Sequence, residues 1–293
     1  MTTSLSLLTK LEADVRAGCV RARRHVVISF TSTPQRLPLL QPMLLSLLRQ
    51  EQAQAEVTVV VCLPQFCAQT GEAYPTDLPI WLAAHVERCT SDHGPITKLI
   101  PAIALATRLG AEWVLTVDDD VVYPPALVRC LVEASDSWPD AAVGCSGLCR
   151  LSARGDSGLN LAPQTVHGGE ASVLEGFAGV LYRASFFAAD FMPYAVAAAE
   201  QPLARLSDDL VVALYLEHHN VPRRVVSCGA VSRATMVSSG LPHGSSADAL
   251  HCGGGGKGNN YRRYNQVALK INRGELPGGH GHGWRLTTRT LIR

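Results

Sequence analysis

Short apolar runs alternate with longer amphipathic stretches along the first half of the chain, and this pattern predicts strands alternating with helices. The runs RHVVISF, EVTVVVCLP, EWVLTV and DAAVGCSGL predict strands. EVTVVVCLP is apolar at consecutive positions, as expected of a strand covered on both faces. The stretches PLLQPMLLSLLRQ, GPITKLIPAIALATRLG and YPPALVRCLVEASD predict helices, the second ended by Gly110 and the third starting at its prolines. The pattern therefore predicts right-handed βαβ units in a mostly parallel α/β sheet with helices on both faces.

After Arg150 the pattern changes to a glycine-rich polar stretch, RLSARGDSGLNLAPQTVHGGEAS, which predicts a long loop or a hairpin. Apolar character returns in VLEGFAGVLYR. LSDDLVVALYLEHHN then predicts a helix with Ser207 as N-cap, and RRVVS predicts a last strand. We divide the chain into an N-terminal helix or extension (1–23), a catalytic domain (24–235, with halves 24–125 and 126–235), and a glycine-rich lid, helix and tail (236–293).

Composition narrows the class of protein. With 293 residues, of which 47% are hydrophobic and 17% charged, the chain can bury a large core. A net charge of +1 gives no reason to expect nucleic acid as a partner. No apolar run approaches the roughly 18 residues that a membrane span needs. The nine cysteines are scattered without a CxxC pair, which favours reduced thiols, and we expect a cytoplasmic protein.

Three consecutive aspartates, Asp118 to Asp120, end the apolar run EWVLTV. Adjacent carboxylates repel one another, and burying one is costly unless it is paired or bound to a cation. Alternate residues of an extended segment point the same way, so Asp118 and Asp120 are expected to converge while Asp119 faces elsewhere. Two convergent carboxylates suit a hard divalent cation that keeps positions open for phosphate oxygens. The alternative is a helix cap with solvated neighbours.

A second acidic pair, Asp208 and Asp209, falls in the first turn of a predicted helix. Acidic residues are favoured there in any helix, but at the functional edge of the sheet one of them would reach a substrate hydroxyl as a general base. In SDHGPITKL, Lys98 is either a solvated helix residue or points its ammonium at phosphate or at Asp92.

Two further features have both a structural and a functional interpretation. In EGFAGVLYR, Glu175, Gly176 and Gly179 form an ordinary turn or let the backbone approach a ligand closely. His243 and His251, close to the glycine-rich segment, are candidates for a third metal ligand. The histidines of GHGHG, His280 and His282, compete for that role.

The segments VVISFTSTPQRL, SDHGPITKL, VLTVDDDVVYPP, EGFAGVLYR and SDDLVVALYL occur in the order and approximate spacing of glycosyltransferases with the GT-A fold. The chain most resembles a group of small DxD-containing glycosyltransferase-like proteins of bacteria, viruses and protists, over about residues 24 to 230. The resemblance implies a Rossmann-like GT-A sheet, a nucleotide-sugar donor such as a UDP- or GDP-sugar, and Mn²⁺ or Mg²⁺. The acceptor would be a glycan, a protein, a lipid or a small molecule.

The resemblance also implies a role for each matched residue. Asp118 and Asp120 match the DxD pair that holds the metal against the donor diphosphate. Asp209 would deprotonate the acceptor hydroxyl, with inversion at the anomeric carbon, and Asp208 is the reserve base. The remaining residues expected around the donor are Thr31, Arg36, Asp92, Lys98, Asp119, Glu175 and Gly176.

Two other functions stay open. A sugar nucleotidyltransferase would use the same kind of sheet, but it usually has a glycine-rich basic loop directly after its first strand. This chain has TSTPQR there, without a glycine. The other alternative is a protein that binds nucleotide sugars or glycans on a GT-A-like fold without catalysis. The intact aspartate run and the second acidic pair argue against it.

Overall fold

The computed structural model describes residues 23–51, 55–150, 161–202 and 204–245. The predicted N-terminal helix, the glycine-rich stretch 253–258 and the helix expected after it lie outside these residues, as do His251, His280 and His282. The lid function of the glycine-rich stretch therefore stays a prediction.

The described residues contain ten strands and seven α-helices. The strands are β1 (Arg23–Phe30), β2 (Glu56–Leu63), β3 (Val86–Arg88), β4 (Ala111–Thr116), β5 (Ala142–Gly144), β6 (Gly147–Arg150), β7 (Leu161–Gln164), β8 (Val173–Leu174), β9 (Val180–Arg183) and β10 (Arg223–Val225). The helices are α1 (Gln41–Leu48), α2 (Ile80–Ala83), α3 (Ile100–Leu109), α4 (Leu127–Ser137), α5 (Phe191–Ala199), α6 (Asp208–His218) and α7 (Arg233–Ser238).

A seven-stranded sheet in the order β10-β5-β9-β4-β1-β2-β3 forms the centre of the fold. The pairs β4–β1, β1–β2, β2–β3 and β10–β5 are parallel. Strand β9 is antiparallel to both β4 and β5. The mostly parallel α/β sheet predicted from the sequence is confirmed, with one antiparallel strand inserted into it.

Helices cover both faces of this sheet, and successive residues of β1 contribute to different cores. Val27 packs into a cluster with residues of α3, α5 and α6. Val26 and Ile28 pack into a second cluster with residues of α1 and α4. All three side chains are completely buried, which explains why the strand is apolar at consecutive positions. A strand covered on both faces has no solvent side on which polar residues would be placed.

The stretch DAAVGCSGL is not one strand, and that prediction was wrong. Residues Ala142–Gly144 form β5 in the large sheet, whereas Gly147–Arg150 form β6 in a separate three-stranded sheet of order β7-β6-β8. Between them the chain leaves one sheet for the other. The hairpin predicted for the glycine-rich stretch is present, since β6 pairs antiparallel with β7.

The predicted helix ends agree with the structure where glycine or proline marks them. Gly110 follows α3 with φ 62°, and its N–H donates to the carbonyls of Ala106 and Thr107. This left-handed C-cap is the conformation for which glycine is favoured. Helix α4 begins at Leu127, just after the two prolines. In the described part of the chain, no helix has the length and apolar character to cross a membrane.

Candidate active site

A cavity of about 640 Å³ lies where β1 and β4 end. Its wall includes Thr31 to Thr33, directly after β1, and Asp118 to Asp120, just after β4. The first turn of α6 contributes Asp208 and Asp209. Parallel α/β sheets bind ligands outside the carboxyl ends of their strands, and this cavity has that position.

Most of the site residues predicted from the sequence meet at this cavity. Those that line it are Thr31, Arg36, Asp92, Lys98, Asp118, Asp119, Asp120, Glu175, Asp208 and Asp209. Gly176 joins them through a hydrogen bond from its N–H to Oδ1 of Asp209, at 2.9 Å. His251 lies outside the described residues. The structure brings these residues together, and their roles toward a ligand stay predictions.

The three consecutive aspartates have different surroundings. Asp118 accepts a hydrogen bond of 2.6 Å from Nζ of Lys98, and its side chain is 35% exposed. Asp119 is buried and accepts from the Ser32 hydroxyl at 2.5 Å and from Arg36 Nη1 at 3.0 Å. Asp119 thus faces away from Asp118 and is held by protein groups on both oxygens.

Asp120 lies against the segment 240–245. Its carbonyl accepts from the N–H of Leu241 at 2.6 Å, and a Cβ at Gly244 would lie 2.7 Å from its Oδ2. Arg36 Nη1 is 3.6 Å away. Burial, followed by repulsion from the carboxylates of Asp118 and Asp119, raises the pKa of Asp120 to about 7. The protein groups around Asp120 therefore compensate the charge of its carboxylate only in part.

Lys98 joins the two acidic groups. Its Nζ lies 2.6 Å from Oδ1 of Asp118 and 3.0 Å from Oδ2 of Asp208, and its side chain is only 6% exposed. Burial by itself would lower the pKa of Lys98, but Asp118, Asp208 and Asp209 outweigh burial and hold it well above the ordinary value. Of the alternatives for Lys98, neither a solvated side chain nor a contact with Asp92 is found, because the ammonium is buried against Asp118 and Asp208.

Asp209 has different surroundings from those of Asp208. Burial, with repulsion from Asp208 next, raises the pKa of Asp209 well above that of an ordinary carboxyl group. Gly176 makes the contact with Asp209 possible, because a Cβ at position 176 would lie 2.9 Å from Oδ1 of Asp209 and 3.1 Å from Nζ of Lys98. The close approach predicted for Gly176 is therefore made to Asp209 and Lys98. A higher pKa makes the carboxylate of Asp209 a stronger proton acceptor once it is ionised.

Asp92 holds two loops together at the other end of the cavity. Its Oδ1 accepts from the N–H of Gly94 and its Oδ2 from the N–H of Ala68, both at 2.6 Å. Arg205 Nη2 donates to the carbonyl of Asp92 at 2.7 Å and lies 3.4 Å from Oδ1. Thr31 is likewise engaged, donating from its hydroxyl to the carbonyl of Cys62 at 2.9 Å.

Glu175 accepts a hydrogen bond of 2.6 Å from the Ser146 hydroxyl and lies 3.4 Å from Arg233 Nη2. The guanidinium of Arg233 also lies 5.6 Å from the centre of the Phe177 ring. No sequence motif predicted Arg205, Arg233 or Gly244 as part of the site. They lie in short loops and helices without a chemical motif, and only long-range packing brings them to the cavity.

His243 does not meet the carboxylates as a metal ligand would. Its Nε2 lies 3.2 Å from the carbonyl of Asp119, where a nitrogen can only donate, and its own carbonyl accepts from Arg36 Nη2 at 3.2 Å. Among the described residues, no group of three or more His, Cys, Asp or Glu side chains is arranged to hold a metal ion. Any protein ligand set built from these residues is therefore smaller than three.

The donor set nevertheless fits a divalent cation that shares its ligands with phosphate. Such cations are commonly held by one or two carboxylates, with phosphate oxygens and water completing the coordination. Asp118 and Asp120 supply two carboxylates at the cavity wall. The described lining contains seven carboxylates and only four lysine or arginine side chains, a formal excess of three negative charges. A formal negative excess favours entry of an anionic ligand together with a cation.

No protein-family model matches the sequence, and no curated protein does. Among solved structures, 117 chains match. One is CMP:2-keto-3-deoxy-manno-octonic acid synthetase complexed with CTP, at 11% identity and a TM-score of 0.40, over 74% of this chain and 96% of that chain. At this level of similarity the match carries no argument. The described chain is a mixed α/β protein with a Rossmann-like sheet.

Proposed function

We propose that this protein is a metal-dependent glycosyltransferase that moves a sugar from a nucleotide-sugar donor to an acceptor hydroxyl, with inversion. One observation carries the proposal: two acidic groups about 90 residues apart in the chain meet at one cavity and are joined by Lys98. One group would serve the donor diphosphate and the other the acceptor.

On the donor side, Asp118 and Asp120 would hold Mn²⁺ or Mg²⁺ against the diphosphate of a UDP- or GDP-sugar. The bound cation would supply Lewis-acid stabilisation of the charge that develops on the leaving nucleoside diphosphate. Arg36 and Asp119 would keep the aspartate loop in place, since they form an ion pair of 3.0 Å with little exposure. Thr31 and Asp92 border the cavity where the nucleoside would lie.

On the acceptor side, Asp209 would accept the proton of the acceptor hydroxyl. The acceptor oxygen forms a bond to the anomeric carbon of the donor sugar as the bond from that carbon to the diphosphate oxygen breaks. The electron pair of the broken bond leaves with the nucleoside diphosphate. Asp209 suits this role because its pKa is raised and the Gly176 N–H fixes one of its oxygens. Asp208 is engaged by Lys98 and is the weaker candidate.

The loop after β1 supports sugar transfer over nucleotidyl transfer. Its basic residue, Arg36, contacts Asp119, Asp120 and the carbonyl of His243, so its guanidinium is turned toward the protein. A triphosphate would find no glycine in this loop and no other lysine or arginine between Thr31 and Leu40. The alternatives of a sugar nucleotidyltransferase and of a non-catalytic binding protein are separated by the experiment below.

The test is a thermal-shift panel of UDP-, GDP-, ADP- and CMP-sugars, each with Mn²⁺, Mg²⁺ or EDTA, because a ligand bound only by the native state raises its stability. We expect a metal-dependent shift with one nucleotide class, which Asp120→Ala removes and the exposed-site control Asp77→Ala keeps. Release of nucleoside diphosphate with an acceptor mixture would then follow, and Asp209→Asn should bind donor normally but transfer about 10²- to 10⁴-fold more slowly.

Other results would support a different function. Pyrophosphate release from CTP or UTP with a free sugar would identify a nucleotidyltransferase. Donor binding without any transfer or pyrophosphate release would favour the non-catalytic binding protein. The absence of any nucleotide-dependent shift would contradict the proposal altogether.

A further inference from the structure

Lys98 carries a buried ammonium that contacts one carboxylate from each acidic group. Its Nζ lies 2.6 Å from Asp118 Oδ1 and 3.0 Å from Asp208 Oδ2, with 6% of the side chain exposed. The other cations of the described lining are engaged elsewhere: Arg36 with Asp119 at 3.0 Å and Asp120 at 3.6 Å, Arg205 with Asp92 at 3.4 Å, and Arg233 with Glu175 at 3.4 Å. Within the described cavity wall, Lys98 is therefore the counter-ion of Asp118.

We propose that Lys98 is an internal cation that competes with the divalent cation for Asp118, so that the metal binds tightly only together with the donor diphosphate. This inference rests on the proposed function and deepens it. It makes Lys98 a positioning residue that acts through Asp118 and controls the order in which ligands assemble.

The physical argument is electrostatic. An ammonium 2.6 Å from Asp118 neutralises part of its charge and repels a divalent cation on the same carboxylate. Burial strengthens this repulsion, because little water screens a group with 6% exposure. A diphosphate that binds together with the metal supplies negative charge, which replaces the charge that the ammonium neutralises at Asp118. Metal and diphosphate therefore raise each other's affinity by the same factor, as linkage requires.

Direct binding of the donor phosphates by Lys98 is the competing role, and the geometry disfavours it. The ammonium already contacts two carboxylates, and Gly176 closes over it, since a Cβ at position 176 would lie 3.1 Å from Nζ. A phosphate would have to displace Asp118 or Asp208 to reach the same position. Lys98 is thus better placed to tune the aspartates than to contact the donor.

The test is titration of the metal-free full-length protein with Mn²⁺, followed by electron paramagnetic resonance, without nucleotide and with saturating UDP or GDP. Removing the ammonium in Lys98→Met should tighten binding of Mn²⁺ alone by about tenfold or more and reduce the Mn²⁺–nucleotide coupling factor. Arg205→Met removes a cavity cation that pairs with Asp92 and should leave the affinity for Mn²⁺ alone nearly unchanged. The readout is binding, so it does not depend on turnover.

A double variant guards against misfolding, because Lys98→Met alone leaves Asp118 and Asp208 without their shared partner. Lys98→Met with Asp208→Asn removes one charge of each sign and should bind Mn²⁺ about tenfold tighter than Asp208→Asn alone. Equal or weaker Mn²⁺ binding without Lys98 would overturn this inference while leaving the proposed function in place. A wild-type protein that binds neither Mn²⁺ nor any nucleoside diphosphate would overturn both.

Discussion

Gly176 and Asp209 meet so closely that the glycine has no room for a side chain. The N–H of Gly176 donates to Oδ1 of Asp209 at 2.9 Å, and a Cβ at position 176 would lie 2.9 Å from the same oxygen. The hydrogen bond stabilises the charged form of a carboxylate whose pKa burial raises. The backbone of one loop thus fixes the group that we expect to act as base.

Gly176→Ala should therefore displace Asp209 and slow sugar transfer by about a hundredfold, since misplacing a catalytic group by about 1 Å has effects of this size. Donor binding should change little, because the displaced group serves the acceptor. The measurement is kcat with a donor titration by thermal shift alongside. Wild-type turnover in Gly176→Ala would show that the position of Asp209 is irrelevant to the reaction.

The raised pKa of Asp209 predicts how stability depends on pH. Between the ordinary carboxyl pKa and the raised value, the folded protein keeps a proton on Asp209 that the unfolded chain releases. The stability from this proton is complete below the ordinary pKa and is lost as pH rises to the raised pKa. In Asp209→Asn the free energy of unfolding should fall less steeply with pH across this window. Urea unfolding at a series of pH values measures this, with exposed Asp77→Asn as control.

The family resemblance predicts Asp119 near the donor, but its contacts lead us to expect that it stabilises the fold. Its side chain is 8% exposed and pairs with Arg36, which is 15% exposed. Asp119→Ala should cost about 3 kcal/mol, because it removes one partner of a buried ion pair. Asp136→Ala, which breaks the exposed pair with Arg24, should cost at most about 1 kcal/mol. Denaturant unfolding compares the two, and equal losses would contradict the assignment.

Gly244 should control the position of Asp120. A Cβ at Gly244 would lie 2.7 Å from Oδ2 of Asp120, whereas a Cβ at Gly240 would meet nothing closer than 3.5 Å. Gly244→Ala should weaken metal-dependent donor binding by about tenfold, because it moves a carboxylate expected to hold the cation. Gly240→Ala is the matched control and should bind like the wild type. Identical donor affinity in the two variants would remove Asp120 from the donor site.

Thiol labelling tests the prediction of reduced cysteines. Cys228 is exposed, whereas Cys145 is completely buried and burial raises the pKa of its thiol. Iodoacetamide should therefore modify Cys228 in the folded protein within minutes and leave Cys145 unmodified until the chain unfolds. Peptide mapping by mass spectrometry distinguishes the two sites. Fast labelling of Cys145 in native protein would contradict the packing of the core around it.

The site was predictable where the chemistry is encoded in neighbouring residues. The three aspartates stand out because they directly follow the apolar run EWVLTV. Their geometry was not predictable from the alternation of side chains in an extended segment, because Asp119 and Asp120 lie in a turn and share Arg36. The position of Asp208 and Asp209 in the first turn of a helix follows from the apolar pattern of LVVALYL and from Ser207 before them. The placement of Asp118 to Asp120 at the carboxyl end of a strand follows from the βαβ pattern. The placement of Asp208 and Asp209 does not, because α6 follows α5 and a short 3-10 helix with no described strand between them.

Local patterns in the sequence predicted the type of most elements and the identity of the acidic groups, because apolar periodicity and terminating glycines are local properties. Long-range packing sets the antiparallel direction of β9 between β4 and β5, and the departure of the chain from the large sheet after Gly144. A run of apolar residues predicts that a strand is buried, but it does not determine whether the strand runs parallel or antiparallel to its neighbours. The partners of Lys98 likewise depend on long-range packing. Its ammonium contacts Asp118 and Asp208, which lie 20 and 110 residues away in the chain, and not the nearby Asp92.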